Sequence, residues 1–362
     1  MIFQERPIEN LQDLYDREAE LERLRKAMLE RAITLVIGFR RTGKTSLIKV
    51  ASFNNNVVYV DARKFEERNY ITQKDLLEEF GKGINSFIPR RKRVLKFLKN
   101  VSGVKIRDVE IEFSWGKERI SFTSLLDELN NWAESDHTKI IVVIDEVQEL
   151  TKLKGFNLLP TIAYAYDNLR GVSFVFAGSK IGMLYKFLRI DDPSSPLYGR
   201  YMEEVKVEPL SREQSVDFLY KGFSKANVEP NEKIIEDAVD KLDGIIGWLS
   251  YFGLTALKSG LNEETIKKVQ GDASRIVINE FCNFVKSRGS KRYVEILKAV
   301  RDGARWSEIK RYLELKTGEK VYDSELSKLI KNLIDSAFVD RKGDFYIIQD
   351  PILRYAAGKV SC

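Results

Sequence analysis

Residues 38–45, Gly38-Phe39-Arg40-Arg41-Thr42-Gly43-Lys44-Thr45, set two glycines ahead of a lysine and a hydroxyl, directly behind the apolar run Ile33–Ile37. That pattern suits the holding of phosphates. Glycines let successive backbone N–H groups turn inward around an anion, Lys44 brings charge to the outer phosphates and Thr45 offers a hydroxyl to Mg²⁺. A helix beginning near Lys44 and running through Ser46 adds the positive end of its dipole. Gly38 through Ser46 are therefore the expected phosphate cradle.

A second group lies about a hundred residues on. Ile140-Ile-Val-Val-Ile-Asp145-Glu146 is a buried-strand pattern that ends in adjacent carboxylates, and strand ends are where α/β sheets bind ligands. Asp145 is expected to complete the metal site with Thr45. Glu146 is expected to polarise the water that attacks a terminal phosphate.

Five short strand patterns must position these groups: Ile33–Ile37, Val57–Asp61, Ile140–Asp145, Ser173–Ala177 and Glu204–Val207. They alternate with helical patterns, which implies a parallel sheet flanked by helices on both faces, an α/β fold. A long excursion at about 85–122 separates the second strand from the third. It holds the basic run RRKRVLKFLKN at 90–100 and then VKIRDVEIEFSW, where Val109, Ile111, Phe113 and Trp115 alternate with polar residues as in a half-buried hairpin strand.

After Pro209 the strand patterns stop, and Ser211-Arg-Glu-Gln214 reads as a capping box that opens a run of helices. The expected division is 1–208 for nucleotide binding, 209–285 for a small helical lid and 286–362 for a C-terminal unit. That unit has helical patterns at 291–301, 306–316 and 323–336, then Phe338–Ile348 turning at Lys342-Gly343-Asp344. Three helices and a hairpin describe a winged helix-turn-helix. On its third helix Leu326, Leu329, Ile330 and Leu333 form an apolar stripe, while Ser324, Ser327, Lys328 and Lys331 share another face. Together with Arg341 and Lys342 of the wing, that polar face is the candidate contact with duplex DNA. The residues alone leave docking of a protein partner open.

The chain has 362 residues and is 43% hydrophobic, enough for two or three packed units. No apolar run approaches the ~18 residues of a membrane helix, and the charged start MIFQERPIENLQDLYDREAEL does not read as a signal peptide. A cytoplasmic location and no membrane partner are expected. Cys282 and Cys362 are far apart and leave no material for a disulfide framework or a four-ligand zinc site. The single histidine, His137, sits in a polar stretch and reads as a solvated loop residue. Net charge is +6, with 17 Lys/Arg against 11 Asp/Glu in 286–362, and 8 Lys/Arg with no acid in 90–107. Basic segments on an acidic remainder point to localised contact with a polyanion.

With phosphate loop, Asp-Glu strand, helical lid and winged helix in this order, the chain resembles the archaeal ATPases of the AAA+/STAND class and the origin-recognition initiators related to them. The resemblance implies ATP/ADP and Mg²⁺ as ligands and a nucleotide-dependent oligomer as one possible assembly. It implies that the Tyr15-Asp16-Arg17-Glu18 segment helps enclose adenine. Phe176-Ala-Gly-Ser179 resembles the sensor strand whose last side chain reads the γ-phosphate. Pro196-Leu-Tyr-Gly-Arg200 resembles the box that carries an arginine finger, which acts in cis or from a neighbour. Gly244-Ile-Ile-Gly-Trp248-Leu resembles the lid motif, with Ile246 where the family usually has proline. From the residues alone, Arg200 is a surface residue after a glycine turn and Trp248 a lid-core aromatic.

The expected activity is an ATP-hydrolysing switch whose lid and winged helix move with nucleotide state. Lys44, Glu146, Ser179 and Arg200 are its catalytic candidates, and ATP over GTP rests on the resemblance. One alternative is a very slow or arrested nucleotide-gated scaffold whose winged helix docks a protein. Another is a DNA-binding regulator that retains nucleotide for stability.

Overall fold

Strands made of unbroken Val and Ile need cover on both faces, and the computed structural model, which describes residues 2–115 and 120–362, supplies it. The first part of the chain runs α1 (Glu18–Glu30), β1 (Ile33–Gly38), α2 (Lys44–Ala51), β2 (Asn56–Asp61), α3 (Gln73–Phe87), α4 (Leu95–Leu98), β3 (Val104–Arg107) and β4 (Glu110–Phe113). It continues with α5 (Phe122–Ser135), β5 (Ile140–Asp145), α6 (Leu159–Asn168), β6 (Val172–Gly178), α7 (Ile181–Leu188) and β7 (Glu203–Val207).

Five of these strands form a parallel sheet in the order β2-β5-β6-β1-β7. Residues alternate between its faces as the pleat requires. Ile140, Val142 and Ile144 of β5 pack with Phe174 and Phe176 of β6 against α3 and α5, whereas Ile141, Val143 and Val175 face α1 and α2. This order has a chemical consequence. β6 lies between β1, which leads into the phosphate loop, and β5, which ends in Asp145, so the ends of all three strands converge on one spot.

The excursion between β2 and β5 forms the hairpin β3–β4 beside the sheet. Ile111 is buried and Phe113 packs over Gly81 of α3, but Val109 and Trp115 are exposed. The alternation expected through 109–115 is cut short because the chain turns at Asp108, which has a positive φ, so Val109 sits in the turn and Trp115 lies past the strand.

The second part is helical: α8 (Arg212–Lys225), α9 (Glu232–Leu242), α10 (Ile246–Ser259) and the long α11 (Glu263–Arg288). Ser211 and Gln214 form the capping box of α8. A winged helix follows, with α12 (Arg292–Ala299), β8 (Ala304–Arg305), α13 (Trp306–Thr317), α14 (Asp323–Asp335), β9 (Asp340–Lys342) and β10 (Phe345–Ile347), and then α15 (Pro351–Ala356). The three strands pair in the order β8-β10-β9. The lid helices and the winged helix share one hydrophobic core, and α11 runs from the first into the second. Phe3, from far upstream, is buried in that core against Gly222 and Gly253.

The cysteines require a correction. α15 packs back along α11, which returns the last residues of the chain to its side, and Cys282 and Cys362 form a disulfide with their Cα atoms 5.3 Å apart. A separation of 80 residues hid this proximity in the sequence. Among the described residues no helix is long and apolar enough to cross a membrane.

Candidate nucleotide site

The phosphate loop turns between β1 and α2. Gly43 holds φ 100°, a conformation that a side chain disfavours. Lys44 opens α2 and is buried, and its Nζ donates to the carbonyls of Gly38 at 2.9 Å and Phe39 at 2.6 Å. Thr42 Oγ1 closes the same turn on the Phe39 carbonyl at 2.9 Å. Burial pushes the Lys44 ammonium down to about 8, while the carboxylates of Glu146 and Asp145 oppose the shift.

Thr45 and Asp145, a hundred residues apart in sequence, meet: Thr45 Oγ1 donates to Asp145 Oδ2 at 2.8 Å. Tyr59 of β2 donates to the same oxygen at 2.8 Å. Burial raises the Asp145 carboxyl, helped by the charge of Glu146, against the hydrogen bonds from Tyr59 and Thr45. A hydroxyl and a carboxylate side by side are hard oxygen donors and fit Mg²⁺, which takes the rest of its shell from phosphates and water. Bound there, Mg²⁺ would supply charge to the phosphate oxygens.

Glu146 follows in a left-handed conformation, φ 53°, that turns its side chain back toward the end of β6. Ser179 Oγ donates to Glu146 Oε2 at 2.8 Å, and the Ser179 N–H does so at 3.3 Å. Burial pushes the Glu146 carboxyl up, but Lys44 and the donors from Gln148 and Ser179 outweigh it and hold the group below its usual range. Glu146 is therefore an anion at neutral pH.

Thr42, Gly43, Lys44, Thr45, Glu146 and Ser179 line one cavity of about 820 Å³, with Arg40, Arg41 and Ser46 beside the loop and Ile8, Tyr15 and Arg17 among its other walls; Asp145 stands behind Thr45 rather than on the cavity wall. Ser46 Oγ accepts from the Ile8 N–H at 3.0 Å. The Tyr15 hydroxyl bonds the Gln214 carbonyl at 3.0 Å and also the Asp217 carboxylate, so its ring is fixed to α8. Arg17 is buried and held by Glu20 at 2.9 Å and the Glu208 carbonyl at 2.6 Å.

The lid reaches the loop directly. The Arg41 guanidinium lies 4.3 Å from the centre of the Trp248 ring, and the Gly247 N–H donates to the Arg41 carbonyl at 3.0 Å. Arg40 and Arg41 pair with Glu280 of α11 at 2.8 and 2.5 Å. Ile246 stands over Gly43, at the place where the resemblance led to an expected proline.

Arg200 is elsewhere. Its guanidinium pairs with Asp167 of α6 at 2.6 Å, bonds the Pro196 carbonyl and stacks near Tyr166. It does not line the cavity of its own chain. Ser324, Ser327, Lys328 and Lys331 are exposed on α14, as are Arg341 and Lys342 on the wing. Glu280 and Gln148 went unnoticed in the sequence. Glu280 reaches Arg40 of the loop across 240 residues of sequence, and Gln148 is one polar residue in the charged turn 146–152, so no local pattern marks either.

A parallel sheet, a glycine turn around a buried lysine and paired carboxylates at the end of β5, one strand removed from β1, define a P-loop ATPase of the AAA+ class. Residues 14–252 match the model of an ATPase domain found predominantly in Archaea, and the chain belongs to that family. Residues 287–346 match the C-terminal winged helix-turn-helix domain of MCM proteins. The Walker-type ATPase PABY2304 of Pyrococcus abyssi is 33% identical, with a TM-score of 0.86 over 99% of this chain and all of its own. The Aeropyrum pernix ORC2 protein, solved with ADPNP and ADP, shares the fold at 14% identity, with a TM-score of 0.59 over 99% of this chain and 96% of its own. No curated protein matches the chain. It is thus a nucleotide-binding, ATP-hydrolysing enzyme of the P-loop class that carries a winged helix.

Proposed function

We propose that the chain is a Mg²⁺-dependent ATP switch of the STAND type, working in the cytoplasm, in which nucleotide state governs a winged helix that contacts duplex DNA. In this reading Lys44 and the loop 38–46 hold the phosphates, and Thr45 with Asp145 holds the metal. Glu146 takes a proton from the attacking water and Ser179 senses the γ-phosphate. Tyr15 and Arg17 wall the nucleotide cavity, whereas Trp248, expected there too, is not on its wall and acts only by stacking on Arg41 of the loop. Residues 1–208 act as the base, 209–285 as the lid and 286–362 as the responding unit.

One contact carries the coupling. α7 starts two residues after Ser179, and its Gly182 lies so close to α14 that a Cβ there would stand 2.7 Å from the Asp335 Cα. Lys186 of α7 pairs with the Asp335 carboxylate. The helix proposed to face DNA is thereby seated on the helix that leaves the sensor turn. A shift of Ser179 on loss of the γ-phosphate would move that seat.

Arg200 enters this reading only as a finger offered to a neighbouring copy, because Asp167 holds it away from its own cleft. The exposed lysines of α14 favour DNA over a protein partner, since they face solvent without carboxylate partners among the described residues. The test is ATP turnover with Mg²⁺ at low salt, with and without duplex DNA, with Lys44→Ala as the blank. Turnover that rises with DNA supports the reading. Turnover above the blank but indifferent to DNA points to a protein-docking scaffold instead.

A further inference from the structure

Gln148 lies two residues beyond Glu146 and is only 1% exposed. Its Nε2 donates to Glu146 Oε2, the same oxygen that accepts from Ser179 Oγ and the Ser179 N–H. All three donors converge on one carboxylate oxygen, and among the described residues no donor reaches Oε1. The amide is boxed in as well. Gly178, the last residue of β6, leaves room where a Cβ would stand 2.7 Å from Gln148 Oε1. That Oε1 is buried without a partner among the described residues. An unmet buried acceptor is a standing cost, so the amide's packing alone gives no reason for its presence, whereas its N–H supplies one.

We propose that Gln148 is a positioning residue for ATP hydrolysis. With Ser179 it fixes Glu146 Oε2 and so leaves Oε1 as the oxygen that faces the attacking water. The inference rests on Glu146 being the base. In the step it serves, the water oxygen bonds to the terminal phosphorus, the bond from that phosphorus to the bridging oxygen of ADP breaks, and the water proton passes to Glu146 Oε1. A carboxylate with both oxygens free would rotate between orientations, of which few point a lone pair at the water.

The test compares single-turnover hydrolysis of Mg²⁺-ATP and ATP affinity in the wild type, Gln148→Met, Gly178→Ala, Glu146→Gln and the Glu146→Gln/Gln148→Met double variant. Methionine fills nearly the same space without the N–H. Alanine at 178 pushes the amide from its place by an independent route. Both single changes are expected to lower the hydrolysis rate about 10- to 100-fold, with ATP affinity within about twofold of wild type. The double variant is expected to be no slower than Glu146→Gln, since Gln148 acts only through Glu146.

If Glu146→Gln is slow while Gln148→Met matches or exceeds the wild type, the role of Gln148 is overturned and the base assignment stands. If Glu146→Gln itself turns over at the wild-type rate, the base assignment fails first. Loss of ATP binding in both Gln148→Met and Gly178→Ala would mark Gln148 as packing and also overturn the proposal.

Discussion

In the nucleotide cleft Lys44 and Asp145 are buried, Glu146 is half-buried, and each is held by groups of its own chain. On the winged helix Lys328, Lys331 and Lys342 stand exposed, with no carboxylate partner among the described residues. The two regions use charge differently. Buried charges fixed by hydrogen bonds are arranged before the ligand arrives and act over a few ångströms, so removing one leaves the others uncompensated. Exposed lysines act through a screened field and the release of counterions, so their effects are graded and depend on salt. Changes in the cleft should therefore be nearly all-or-none, and changes on α14 incremental.

The largest effect is expected at the loop. Lys44→Ala should abolish tight ATP binding, and calorimetry that finds unchanged affinity would break the assignment of the cleft. Glu146→Gln comes next, with binding intact and hydrolysis slowed at least ~100-fold; turnover at the wild-type rate would move the base to another residue. On the winged helix, Lys328→Ala and Lys331→Ala should each weaken duplex binding at every sequence tested. Each should also lower the slope of log affinity against log salt by about 1. A slope that does not change would remove α14 from the contact.

The smallest expected effect lies where the regions join. Burial raises the Glu280 carboxyl, but Arg40 and Arg41 overcome this and hold it below its usual range. A lowered carboxyl contributes stability that is present above its unfolded value of about 4.3 and is lost as the pH falls through the folded value. Glu280→Gln should therefore cost about 1 kcal/mol at pH 7, a figure kept small by the partial exposure of the pair. The difference from wild type should shrink below pH 4 in denaturant titrations. A gap of the same size at pH 3 and pH 7 would assign the loss to packing instead.

Much of the fold was legible because local physics repeats along the chain. Unbroken Val/Ile runs marked the sheet, Ser211 and Gln214 marked the entry to the lid, and the Leu326–Leu333 stripe gave the buried face of α14. The loop and the Asp145-Glu146 pair were readable for a similar reason, since each is a short continuous segment. What escaped depends on chain reversal. Phe3 enters the lid core, Glu280 reaches the loop from more than two hundred residues away, and Cys362 returns to Cys282. Arg200 shows the converse. The segment that suggested a finger is present, but Asp167 turns its guanidinium from the cleft of the same chain.

Coupling of the cleft to the winged helix through the seat of α14 on α7 is tested by Gly182→Ala, since Gly182 lies outside the nucleotide cavity and stands against Asp335 rather than against the exposed lysines of α14. The measurement is ATP turnover of this variant against wild type, with and without duplex DNA, alongside DNA affinity. ATP turnover without DNA and DNA binding are expected close to wild type, with stimulation by DNA lost. Stimulation retained in full would contradict that coupling.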